Sequence, residues 1–148
     1  MREILDIAAT LCIGWMIGTE FTVSVFIGPI LEKLGAAKAK ATSLFAQRLG
    51  AAMPFWYALS LLFLLAETAL RRHEPGFGLL VLASAIWATV IVLTIFLLVP
   101  INNRIAKLES ESFPEKLQQE HRRWEMLHHG RVVALAVAMV CFCIAIRS

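Results

Sequence analysis

Residues 78–101 read GLLVLASAIWATVIVLTIFLLVPI, and no charged side chain interrupts them. Coiled as an α-helix at 1.5 Å per residue, this stretch reaches about 36 Å. The hydrocarbon core of a bilayer is about 30 Å thick, which takes about 20 apolar residues to cross. Lipid offers no partner to a free backbone N–H or C=O, so such a segment must be helical. The rest of the chain agrees. Of its 148 residues, 59% are hydrophobic and 17% charged, and mean hydropathy is +0.72. A soluble domain has about half apolar and a quarter charged residues.

Three further apolar runs flank this one: 5–34, 53–70 and 132–146. Ala51 and Ala52 extend the second. The last run makes only about 22 Å of helix, roughly 8 Å short of the bilayer. Residues 115–129 contain neither Pro nor Gly. One long helix from about Pro114 to Arg147, with Pro114 in its first turn, therefore makes good the shortfall. Part of its polar half then lies at membrane depth and must face protein rather than lipid. The expected fold is all-α: a single domain over 1–148, an integral membrane four-helix bundle with spans at about 5–34, 51–70, 78–101 and 126–147. The fourth helix extends from the cytoplasmic side. The stretch 36–49 reads as an interfacial helix or an extension of the second span, and Pro75-Gly76 as a turn. No internal repeat is evident. The first run is too long for a signal-peptide core and holds Glu20, so it reads as a span.

Four spans leave both termini on one side. Arg2, Arg71, Arg72 and Arg147 lie there, against ten basic residues on the other side. Positive-inside bias then places the first and third linkers in the cytoplasm and both termini outside a plasma membrane, taken as a bacterial inner membrane. The net charge of +3 is mild and scattered over loops, which argues against nucleic acid. Cys12, Cys141 and Cys143 all fall in apolar runs and read as small fillers.

Few residues carry chemistry. Glu20 lies within the first span, where a carboxylate must be paired, protonated or turned to a cavity. It reads as a proton carrier or ligand anchor, or as half of a structural pair. Trp124, His128 and Arg131 share one helical face through their i, i+4, i+7 spacing. His128 suits a general base and Arg131 an anion holder; the plainer alternative is an interfacial aromatic and a basic flank. With the outer helix ends level, Glu20 lies about 22 Å deep, Arg131 about 24 Å, His128 about 28 Å and Trp124 about 34 Å. Glu20 and Arg131 thus reach one another. His128, Asn102 and Asn103 form a polar mouth. Pro100-Ile101-Asn102-Asn103 ends the third helix on spacing alone.

Glu67 and Arg71 form an ordinary i, i+4 pair. Gly14 and Gly18 have the spacing that lets membrane helices approach closely, within the bundle or in a homo-oligomer. His121 and His129 lie on other faces of the fourth helix and meet solvent or headgroups, and His73 is across the membrane. Haem needs facing histidines from two helices, which one chain lacks, and no carboxylate–His set for a metal is evident. The residues name no cofactor, so it is none or unknown.

The pattern Pro100, Asn102, Ile105 followed by Trp124, His128 and Arg131 resembles the anthrone oxygenase-like family of small four-span membrane proteins. The resemblance implies an oxygenase that turns an anthrone into an anthraquinone without an established cofactor. His128 would then be the base, with Arg131 and Asn102 holding the anion. Trp124, Asn103 and Glu20 would contact the apolar aromatic or quinone-like substrate. A non-enzymatic accessory or hydrophobic-ligand-binding protein is the alternative, for which Glu20–Arg131 would be a closed pair without a cavity. A small proton-coupled exporter matches only in its four spans and single first-span Glu.

Overall fold

The computed structural model describes residues 2–107 and 115–148, apart from the side chains of residues 36 and 115–118. Every described element is helical. Four helices are long and apolar enough to cross a membrane: α1 (Arg2–Glu32), α2 (Lys38–Leu70), α3 (Phe77–Ala106) and α4 (Glu115–Ala145). α1 and α3 each pack against both α2 and α4, so the helices form an up-and-down ring. Trp15, Phe55, Val92 and Val133 are all at least half exposed, and large apolar side chains cover the outside of the ring. Water would not tolerate such a surface and lipid requires one. The chain is an integral membrane protein.

Pattern explains the core. On α4, His121, Trp124, His128, Arg131, Leu135, Ala138, Phe142 and Ala145 follow one another at alternating steps of three and four. That is the inward stripe of a bundle helix. Its C-terminal half is apolar and fully buried, against Ile13, Leu64, Leu80 and Trp87. Its N-terminal half is polar and lines a cavity. Close packing therefore fills the half of the bundle nearer the termini, and the other half opens.

Two prolines shape that opening. Pro29 and Pro100 lack an N–H, and their rings crowd the carbonyl four residues earlier. Just ahead of each, the helix widens into a π turn: Gly28 N–H bonds the Val23 carbonyl, and Val99 N–H bonds the Thr94 carbonyl. The helix survives both prolines. This corrects the expectation that Pro100 and the asparagines end the third helix, since α3 runs on to Ala106 with Asn102 and Asn103 inside it. Its last turn is held by α2, where Ser43 Oγ and Gln47 Nε2 both donate to the Ala106 carbonyl at 2.9 and 2.8 Å. The segment preceding the second span is an extension of it, because α2 begins at Lys38. Pro114 lies outside the described residues.

Glycine is required at two contacts. At Gly50, a Cβ would stand 2.8 Å from Asn102 Nδ2. At Gly76, it would collide with the Ala145 carbonyl, so the α2–α3 turn can seat on the end of α4 only without a side chain. Gly14 faces Met139 of α4 within the bundle, whereas Gly18 is open on the outside.

At the terminal end, the expected Glu67–Arg71 pair is present at 3.1 Å, and Asp6 and Glu74 join it at 2.8 and 3.1 Å. Burial works against the Arg71 charge, but the hydrogen bonds it donates to Asp6 and Glu67 outweigh this and raise its pKa.

Candidate functional site

Where the bundle opens, a cavity of about 770 Å³ runs from mid-membrane to the end away from the termini. Its walls are mostly apolar, with Met53, Ile91 and Leu98 among them, and both π turns border it. At its deep end a carboxylate, a guanidinium and an imidazole meet.

Glu20 continues the inward stripe Ala9, Ile13, Met16 of α1 and is buried to 2% exposure. Arg131 Nη2 donates to Glu20 Oε2 at 2.6 Å. Tyr57 Oη donates to Glu20 Oε1 at 2.9 Å, and the Arg131 guanidinium lies 5.6 Å from the Tyr57 ring centre. Tyr57 is in turn held from below by Trp87, whose indole N–H donates to the Tyr57 carbonyl at 3.2 Å. Such a pair is sustainable in a low dielectric because each charge has a partner and added hydrogen bonds.

His128 is also 2% exposed. Its Nδ1 lies 2.7 Å from Arg131 Nη2 and 3.2 Å from Glu20 Oε2. Its ring stacks on Trp124, at 4.7 Å between centres and 9° between planes, and Trp124 stacks on His121. The opposite ring nitrogen, Nε2, is buried without a hydrogen-bond partner among the described residues, as is Arg131 Nε. Arg131 Nη1 reaches Thr94 Oγ1 only at 3.4 Å. A buried donor without an acceptor costs roughly 1–3 kcal/mol, so the cavity's deep end is short of acceptors.

The structure brings Glu20, His128 and Arg131 together, with Trp124 above them. His128 sits at this deep end rather than at the mouth, because the side chains of Glu20 and Arg131 bridge the offset between backbone levels. Asn102 lines the cavity wall and donates to the Ala46 carbonyl at 3.2 Å. Asn103 is exposed and is not part of the lining. Tyr57 and Thr94 went unremarked in the sequence. Tyr57 is the single tyrosine and lies about 20 Å from the outer end of its span, a level close to that of Glu20.

His121 corrects an expectation. It does not lie on another helical face: it is seven residues, two full turns, from His128 and shares its side of α4. It is buried, with Nε2 3.6 Å from Glu32 and 3.5 Å from Glu125. The donor atoms of Glu32, His121 and Glu125 lie within 4.8 Å of one another, a set able to hold a cation. Lys38, however, already sits on Glu32 at 2.6 Å. The cluster is a polar clasp joining α1, α2 and α4 at the cavity mouth.

No curated protein and no solved structure matches the chain. The family described as anthrone oxygenase matches residues 42–141, which is 100 of the 148 residues and includes Tyr57, Thr94, Asn102, Trp124, His128 and Arg131. By that match, over a four-helix membrane bundle, the chain belongs to the anthrone oxygenase family.

Proposed function

We propose that the protein is a membrane-embedded oxygenase acting on an apolar aromatic ketone of the anthrone type. The observation that carries this reading is the apolar cavity with unmet hydrogen-bond donors at its closed end. A flat aromatic molecule partitions into such a space from lipid. Its carbonyl oxygen supplies the acceptor that His128 and Arg131 lack, and Trp124 and Asn102 offer contacts along the wall. A purely structural Glu20–Arg131 pair has no need of a cavity beside it.

The reaction replaces a CH₂ group by C=O. Dioxygen gives one atom to the carbon, and the other leaves with the two hydrogens as water. The protein contributes an excluded-water pocket and fixed dipoles that favour the enolate, the form of the substrate that reacts with oxygen. Neither a metal nor an organic cofactor enters this reading. The cavity mouth opens to the cytoplasm of a bacterial cell in the same reading, on the side of the basic linkers.

The test is oxygen uptake by detergent-purified protein supplied with anthrone. The expected result is one dioxygen consumed per anthraquinone formed, above autoxidation, and a loss of at least about 100-fold in Arg131→Ala, the scale for removing an oxyanion donor. Uptake equal to that of protein-free buffer would remove the proposal.

A further inference from the structure

We infer that Glu20 takes the proton from the substrate's C–H, while His128 keeps its own proton and donates a hydrogen bond, beside Arg131, to the carbonyl oxygen that becomes negative. This rests on the oxygenase reading above and reverses the role that the sequence pattern suggested for His128.

The reason lies in the tautomer. Neutral imidazole has one N–H and one lone pair, and a guanidinium can only donate. Arg131 Nη2 is 2.7 Å from His128 Nδ1. Nδ1 is also 3.2 Å from Glu20 Oε2, and the shorter contact, to a group that can only donate, assigns the lone pair to Nδ1 and the proton to Nε2. That Nε2 is the buried nitrogen without a partner among the described residues. It is therefore a donor awaiting an acceptor, and it has no lone pair with which to act as a base.

Glu20 meets the requirements of the base. It lines the cavity, and a carboxylate has about four acceptor sites, of which Arg131 and Tyr57 use two. Charge bookkeeping also favours it. Before reaction, Arg131 balances Glu20. When the C–H bond breaks, its electron pair moves to the carbonyl oxygen and the proton to Glu20, so Arg131 then balances the enolate. No new cation appears. Protonating His128 would instead set a second positive charge against the guanidinium in a low dielectric. Oxygen then adds at the carbanion carbon. Glu20 returns its proton to the peroxide, which loses water to leave the ketone. Tyr57 is a positioning residue that fixes the carboxylate's angle.

Proton abstraction can be isolated from oxygen chemistry. Under nitrogen, in D₂O, mass spectrometry follows deuterium entering the CH₂ group of anthrone. Glu20→Gln should exchange at least about 100-fold more slowly than the unsubstituted protein, the scale of general-base catalysis. His128→Gln, which retains an N–H donor, should stay within about 10-fold, and His128→Ala should fall below it. Quenching of tryptophan fluorescence by anthraquinone reports whether each variant is folded. Should Glu20→Gln fail to fold, His128→Gln decides alone: exchange no faster than in buffer overturns the assignment. Exchange by Glu20→Gln at the unsubstituted rate overturns it equally. Oxygen uptake separates the two levels. An unsubstituted protein that consumes oxygen while exchange depends on His128→Gln loses only the role assignment. One that neither consumes oxygen nor exchanges loses the oxygenase reading with it.

Discussion

Replacing Arg131 by Met should destabilise the bundle steeply at pH 7 and far less at pH 5. Arg131 is the charge partner of Glu20, whose side chain is 3% exposed, and after substitution the carboxylate keeps the Tyr57 hydroxyl and the His128 ring at 3.2 Å but no permanent cation. Removing one partner of a buried pair costs about 3–5 kcal/mol. The penalty has a ceiling, because the stranded carboxylate can take up a proton. An ordinary glutamic acid titrates near 4.3, so that uptake costs about 3.7 kcal/mol at pH 7 and about 1 kcal/mol at pH 5. The folded variant carries a proton that the unfolded chain has released, so its stability falls as pH rises, by about 2.7 kcal/mol over this range. Glu20→Gln together with Arg131→Met removes the charge altogether. It should recover at least about 2 kcal/mol at pH 7 relative to Arg131→Met, a coupling typical of contacting residues. Equilibrium unfolding in mixed micelles, read by tryptophan fluorescence at both pH values, gives all of these numbers. A loss below about 1 kcal/mol at pH 7, or an equal loss at pH 5 and 7, would show that no buried ion pair exists there.

Other substitutions probe other contacts. Gly50→Ala places a methyl against Asn102 Nδ2 and should break its bond to the Ala46 carbonyl, costing about 1 kcal/mol; in Asn102→Ala the same change should cost almost nothing, as a double-mutant cycle will show. Trp124→Ala removes the ring stacked on His128 at 4.7 Å and should weaken anthraquinone binding about 10-fold by fluorescence titration, whereas Trp15→Ala on the exposed face should not. Val92→Asp lies mid-span on the outer surface of α3 at 50% exposure. It should cost about 2.5–3.5 kcal/mol in a membrane-insertion assay, where a water-facing site would tolerate it.

The sequence alone determined that four helices cross a membrane, because hydrocarbon imposes one rule on every residue of a span and that rule is written in composition. Depth was nearly as legible. A fixed rise of 1.5 Å per residue set Glu20 and Arg131 at one level, and the structure joins them at 2.6 Å. Periodicity carried more than was taken from it, since the seven-residue step from His121 to His128 already placed both on one face. Where α3 ends is not legible from Pro100. A local rule says that proline stops a helix, and only the neighbouring α2, with Ser43 and Gln47 on the last carbonyl, makes it worthwhile to widen a turn and continue. The open half of the bundle was also beyond reach, because an apolar wall and a packed core are spelled with the same residues. So was the tautomer we infer for His128. It is set by which atom of a long arginine side chain arrives at Nδ1, and that depends on how three helices pack around Glu20.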